Sequence, residues 1–429
     1  MAQSRISESF QNEGDLSSRL AAFGARRQLQ KTILGLLIDG RRMFAGTAGA
    51  TRLDPPVAQN WLVPAACLAK PITATLLAQA ISTCDLGWSH EIADVLALAG
   101  PQKTKLAGVT LAHLLNHTHG LDAATAVPIP RTPEGFVDVD GLCDRIAARP
   151  LSSPGRLYSY SNFGVGLAAA ALERLSSQHY SQLIQHSEWW ANGRDSQPSQ
   201  PLPPEHVCPA TGNRFGLTVS QWLDLLEAHL ADVSGRGDPA LTRALTSLRT
   251  SPVPLPGWSS SELGACLGWK YYGDDWFGHN SNRTGSSALL RFNPRQRIAV
   301  VVEAADSSAF IVLAGLFGAA LPEVSNLRPP RLLNPQESAG LHLDRYAGAY
   351  VQAQSRLSVG ATSQGRLYMR VSTQDSKVQS LECVIRPAER EMFIPETRDT
   401  EFPFVQFVAE GPACASEYVW NGRQLWRRE

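Results

Sequence analysis

The sequence predicts a mixed α/β domain of catalytic size followed by a small β-rich domain. Three observations carry that expectation. The chain of 429 residues exceeds the usual length of one domain. Its longer N-terminal part mixes strand-like and helix-like apolar patterns, whereas residues 341–429 hold only short alternating segments.

Ile33 to Ile38 and Met43 to Ala45 read as two strands, because Asp39-Gly40 between them supplies the positive-φ residues of a tight hairpin. After Pro64, Leu68, Ile72, Leu76, Leu77 and Ile81 recur at near-helical spacing until Gly87, so Cys67 falls at a helix start. Val109 to Leu115 suggests a short helix, and Gly164 to Leu175 a longer one rich in alanine and leucine. Between Gln197 and Thr211 prolines and polar residues replace periodicity, as in an irregular surface loop bordering a pocket. Ser287 to Phe292 and Ile298 to Val302 flank Asn293-Pro294 as antiparallel strands, with Ile311 to Leu321 as a covering helix. Asn326 to Gly340 is proline-rich and polar, like a linker. Beyond it Arg366 to Val371, Phe402 to Val408 and Glu417 to Trp426 are strand-like, the last broken by Asn421-Gly422. The expected organisation is an N-terminal extension (1–25), a catalytic domain (26–325), a linker (326–340) and a β-rich domain (341–429).

Charge narrows the partners. Thirty-nine Lys and Arg balance thirty-nine Asp and Glu with no basic run, which excludes an electrostatic footprint for nucleic acid or anionic lipid. A small-molecule partner is expected. The seven cysteines are odd in number and scattered, which fits a reduced compartment. The polar N-terminus lacks the apolar core of a signal peptide, and Ile311 to Leu321 is too short to span a bilayer. The expectation is a cytoplasmic protein without a membrane partner.

Cys67-Leu68-Ala69-Lys70 places a nucleophile and an amine three residues apart on one helical face. Alone, that pair reads as a core cysteine and a solvated lysine. Further along stand Tyr158-Ser159-Tyr160-Ser161-Asn162 after Pro154-Gly155, and Phe277-Gly278-His279-Asn280-Ser281 followed by Thr284-Gly285-Ser286-Ser287 and a strand. Leu114-Leu115-Asn116-His117-Thr118-His119-Gly120-Leu121 and Lys70-Pro71 add two more matches in the same order. Together these resemble the serine β-lactamase and penicillin-binding protein family: its Ser-x-x-Lys with cysteine in place of serine, its Tyr-x-Asn, the His-x-Gly that replaces Lys-Thr-Gly in many related esterases, and its Leu-Leu-x-His-Thr-Ser-Gly-Leu. The resemblance covers about residues 26 to 325, and Leu343-Asp344-Arg345-Tyr346-Ala347-Gly348-Ala349-Tyr350 more weakly matches the start of the small β-domain often appended to such hydrolases.

The resemblance implies an antiparallel sheet flanked by helices, a helical lobe, and an active site between them. It makes Cys67 the nucleophile, Lys70 its activating partner, Tyr160 the proton shuttle, and Asn162 a substrate-amide or lysine partner. His279 would face the pocket, and the oxyanion hole would join the Cys67 N–H to a donor near Ser281 or Asn282. Two departures stand out: Ser281 occupies the family's glycine position, and His119 that of the serine in His-Thr-Ser-Gly. His117 and His119 read as structural loop residues. His113, His117 and His119 lack a partnered carboxylate or cysteine motif, and no phosphate loop is visible, so neither metal nor cofactor is expected.

Cysteine alters the chemistry. A thiol at a helix N-terminus beside a lysine ionises more readily than a hydroxyl, which would leave Lys70 an ammonium partner and Tyr160 the proton carrier. An acyl-cysteine is a thioester, which exchanges readily with other thioesters and favours attack by an amine over attack by water. The expected function is acyl transfer from a thioester or activated ester, free or carrier-bound, to form an ester or amide in specialised metabolism. An esterase or amidase and a catalytically silent binding protein are the alternatives. A cysteine substituted for a natural serine is a further reading, which much higher turnover of Cys67→Ser would support.

Overall fold

The computed structural model describes residues 12–123, 129–187, 208–210, 212, 215–230, 238–255, 262–283, 285–305, 308–317, 342–353, 355–373, 381–387, 391–396, 405–409, 415–421 and 425–429. Helix α1 (Glu13–Arg27) leads into a nine-stranded antiparallel sheet built from β1 (Lys31–Ile38), β2 (Arg41–Ala48), β3 (Thr51–Leu53), β6 (Val253–Pro254), β7 (Gly264–Ala265), β8 (Lys270–Gly273), β9 (Trp276–Arg283), β10 (Ser286–Asn293) and β11 (Ile298–Ala305). Its order is β3-β2-β1-β11-β10-β9-β8-β7-β6. A small pair, β4 (Leu62–Pro64) and β5 (Gly216–Thr218), stands apart. The Asp39-Gly40 turn adopts positive φ at both residues (50° and 81°), as the dipeptide predicts.

The central strands are buried almost throughout, because both faces of the sheet are covered. On one face Leu34, Leu36, Leu289 and Val300 meet Leu16, Leu20 and Phe23 of α1 together with Val312 and Leu313. Those last two belong to a C-terminal helix, Ala309–Phe317; the expected continuation to Leu321 lies outside the described residues. On the other face Ile33, Leu37, Leu290 and Val301 meet a helical lobe. The lobe is built on α2 (Ala69–Ser82), α3 (Leu111–Leu115), α4 (Asn162–Ser176) and α5 (Val219–Leu230). Helix α2 is buried on nearly every side, sandwiched in the lobe's core. Helix α1, in the stretch read from sequence as an N-terminal extension, packs onto the sheet through Leu16, Leu20 and Phe23.

The expected linker at residues 326–340 lies outside the described residues. Beyond it a closed antiparallel barrel is formed by β12 (Gly348–Gln352), β13 (Ser355–Ala361), β14 (Leu367–Thr373), β15 (Leu381–Pro387), β16 (Met392–Pro395), β17 (Val405–Val408), β18 (Tyr418–Trp420) and β19 (Leu425–Arg428). Pairing of β12 with β19 closes it and leaves no free edge. Leu357, Met369, Ile385, Phe393, Phe407, Val419 and Trp426 fill the interior.

Candidate active site

Cys67 lies in a 3-10 turn, Ala66–Leu68, that runs directly into α2, at the helix start given by the sequence pattern. Ala66 has φ 40°, a left-handed conformation unusual for a residue with a side chain and therefore strained. Gly212 presses against this turn: a Cβ on it would lie 2.5 Å from the Ala66 nitrogen, so only glycine fits. Held this way, Cys67 is half-buried and free, and it packs against the apolar cluster containing Tyr158 and Tyr160.

Lys70, one helical turn on, is completely buried. Its Nζ donates to Asn162 Oδ1 (2.8 Å) and to the Ala210 carbonyl (2.5 Å), and it lies 4.7 Å from the centre of the Tyr160 ring. Ala210 belongs to the segment expected to border the pocket; residues 197–207 and 211 of that segment lie outside the described residues. Pro209 also accepts from Thr73 Oγ1 of α2, which ties the segment to the nucleophile's helix.

The Tyr-x-Asn stretch enters α4 with Ser161 as its cap, the hydroxyl accepting from the Gly164 N–H. His117 and His119 both buttress it. His117 Nδ1 accepts from the Ser161 N–H (3.2 Å), and its ring lies 4.6 Å from that of Tyr160. The His119 ring fills the space above Gly164, where a Cβ would approach to 2.7 Å, and its Nδ1 accepts from the Leu121 N–H. Burial holds His117 well below the ordinary histidine range, with Lys270 and Lys70 adding to the effect, and pushes His119 down to about 4. His113 caps α3 by accepting from the Thr110 N–H.

Strand β9 packs against the Cys67 turn. Strand β8 pairs with β9 only as far as Gly278, so among the described residues His279 to Arg283 form an edge without a strand on that side. His279 and Ser281 are buried there, and Asn282 is exposed. His279 Nδ1 lies 2.8 Å from the Asn280 carbonyl, which assigns the proton to Nδ1 and leaves Nε2 as an acceptor. Burial, then the charges of Lys70 and Lys270, keep this imidazole neutral at pH 7. Ser281 and Asn282 both sit on the open edge; Thr284 of the same motif lies outside the described residues.

Cys67, Lys70, Tyr160 and Asn162 thus cluster at the start of α2 and α4, with His279, Ser281 and Asn282 on the facing strand. Two contributions were not anticipated from sequence. Lys270, on β8, is buried, donates to the Tyr158 hydroxyl (2.5 Å) and pairs with Glu262 (3.4 Å). Its one sequence signal is a lysine inside the otherwise apolar Leu267 to Tyr272. The second is the barrel: Met392, Tyr418, Trp420 and Leu425 are buried against Tyr158 and Tyr160, with Ile394 and Val408 beside them. Leu425 donates its N–H to the Ser159 hydroxyl, between the two tyrosines, and Ala353 donates to Asp122 (2.6 Å). Among the described residues no group of three or more His, Cys, Asp or Glu is arranged to hold a metal ion. Likewise no described helix is long and apolar enough to cross a membrane.

A nine-stranded antiparallel sheet covered by a helical lobe, with Cys67, Lys70 and Tyr160 where the two meet, is the arrangement of the β-lactamase fold. The Beta-lactamase family model matches residues 16–308, and the chain belongs to that family. It is 22% identical over 320 residues to Penicillin-binding protein 4 of Amycolatopsis lactamdurans, covering 66% of this chain and 82% of that one. The fold is similar to that of SurE, solved with D-Leu, at a TM-score of 0.73 and 21% identity, covering 97% of this chain and 99% of that one. It is also similar to the D-alanine carboxypeptidase AmpC of Burkholderia cenocepacia, at a TM-score of 0.55 and 19% identity, covering 73% and 99% respectively.

Proposed function

We propose that the protein transfers acyl groups through a thioester on Cys67, moving the acyl part of a thioester or activated ester onto an amine or alcohol. The observation that carries this reading is the placement of Lys70: it is fixed by Asn162 and the Ala210 carbonyl and stacked on Tyr160, one turn from a half-buried sulfur. A reactive thiol needs partial exposure beside a positive group, and a core cysteine needs neither.

In the first half-reaction the Cys67 sulfur attacks the donor carbonyl, the S–C bond forms, and the bond to the leaving group breaks as Tyr160 passes a proton to it. In the second, the acceptor's nitrogen or oxygen attacks the thioester, Tyr160 takes its proton, and the thiolate departs. The Cys67 N–H and a donor on the open edge of β9 near Ser281 or Asn282 would receive the oxyanion. The apolar barrel residues over Tyr158 and Tyr160 exclude water, which favours transfer over hydrolysis and suits an apolar acyl group. The small-molecule donor is free or carrier-bound.

SurE was solved with D-Leu and AmpC of Burkholderia is a D-alanine carboxypeptidase, so donors in which a D-amino acid carries the reacting carbonyl are the first probes to use. Intact-protein mass spectrometry after incubation with acyl-D-Leu and acyl-D-Ala thioesters should show an increment in wild type that is absent from Cys67→Ala. No increment with any thioester or activated ester would sink the reading. Release that is indifferent to added amine or alcohol and yields only the free acid would assign the protein to the hydrolases.

A further inference from the structure

A lysine buried to 4% exposure is costly unless its charge is used or compensated, and Lys270 is placed where it can be used. Its Nζ donates to the Tyr158 hydroxyl at 2.5 Å, lies 4.4 Å from the centre of that ring, and lies 5.8 Å from the centre of the Tyr160 ring. Lys70 is 4.7 Å from the same Tyr160 ring. Two amines from different elements, α2 and β8, therefore converge on one tyrosine.

Behind Lys270 runs a polar chain. Glu262 pairs with Lys270 at 3.4 Å, Asn280 Nδ2 donates to Glu262, and the buried Arg291 donates to Asn280 Oδ1 at 2.8 Å. Burial works against the charge on Lys270, yet Tyr158 and Glu262 outweigh it and hold the group above the ordinary lysine range. An ordinary structural ion pair has no need to end on the phenol two residues before the proton carrier.

We propose that Lys270 is a positioning residue of the acyl-transfer site: through Tyr158 it fixes the tyrosine pair, and its ammonium supplies Tyr160 with a second positive charge beside that of Lys70. This deepens the proposed function and rests on it for the role of Tyr160. The described groups near that phenol include His117 from the preceding loop, Cys67 from the 3-10 turn and Tyr418 from the barrel. Both His117 and the nearby His279 are held neutral, so the two lysines supply the cations among these groups. A phenol that alternately gives and takes a proton benefits from them, because they favour its ionised form.

The test reads Tyr160 directly and needs no substrate. Tyrosinate absorbance is followed against pH, and subtracting the matching Tyr160→Phe protein isolates one phenol. Lys270→Met should raise the Tyr160 midpoint by about one pH unit, as expected for loss of a charge at this range. Lys270→Arg should hold it near wild type, and Glu262→Gln, at the more exposed end of the pair, should lower it. The alkaline limb of the acylation rate, where Tyr160 loses the proton that it passes to the leaving group, should move with the midpoint in each variant. A Tyr160 midpoint unchanged in both Lys270→Met and Glu262→Gln would overturn the inference, whatever the variants do to stability. If Lys270→Met does not fold, Lys270→Arg and Glu262→Gln decide alone. Acylation of Cys67, read separately by mass, reports on the proposed function, so the two can fail independently.

Discussion

The barrel has two unlike walls. Along β13, β14 and β15 the outward side carries the exposed charges Arg356, Arg370, Glu382 and Arg386, with Arg370 paired to Glu382 and Arg386 to Glu396. Along β16, β18 and β19 the outward positions include Met392, Ile394, Tyr418, Trp420 and Leu425, nearly all buried in one cluster with Tyr158 and Tyr160. The inward residues are equally apolar in both walls. Closing a barrel explains only the inward set; the second wall exists because it covers something. The outer face of a strand, usually where solvent is met, is here packed against the catalytic domain at Tyr158 and Tyr160.

This contrast can be broken, and the largest effect is expected at Trp420. Trp420→Ala removes a large buried side chain from the covering wall and should destabilise the protein by about 3–5 kcal/mol. Thioester exchange at Cys67 should also yield more free acid, as water gains entry. Chemical denaturation and product ratios check both.

Acid should separate the two domains next. His119, shifted from 6.5 to about 4, binds its proton less readily folded than unfolded. The stability it lends is therefore complete above pH 6.5, declines as pH falls toward 4 and is then spent, an effect of about 3 kcal/mol. His117, His229 and His279 are shifted in the same direction by burial, and the sequence has no histidine after His342. Hydrogen exchange near pH 5 should accordingly loosen the helical lobe before the barrel.

A smaller change is expected from Ser159→Ala, which strips the Leu425 N–H of its partner at the seam and should cost about 1–3 kcal/mol. Smallest of all, Arg370→Ala on the solvent wall should alter stability by about 1 kcal/mol or less and leave acylation untouched. Equal effects of Trp420→Ala and Arg370→Ala on product ratio would erase the distinction between the walls.

The local part of this architecture was legible because it is written in short range. Cys67 and Lys70 are one helical turn apart, Tyr160 and Asn162 flank a helix cap, and Asp39-Gly40 names its own turn. The buried strand β11 announces itself as an apolar run from Ile298 to Val302, and β10 as one broken by Arg291, because both faces of the sheet are covered. What stayed hidden depends on distant partners. Lys270 acquires meaning only when β8 lies beside Tyr158, 112 residues earlier in the chain. The covering wall was equally silent, since Met392, Tyr418 and Leu425 look like ordinary barrel residues until the whole domain is docked. The 3-10 form of the turn at Cys67 was hidden for a similar reason, being shaped by Gly212 from a remote segment.

That turn carries one further implication. Its unusual backbone is dictated by Ala66 and by the glycine wedged against it, so the direction of the side chain at 67 is decided before that side chain is chosen. A scaffold arranged like this can trade oxygen for sulfur without rebuilding its walls. Within such a framework, new chemistry is one codon away from old.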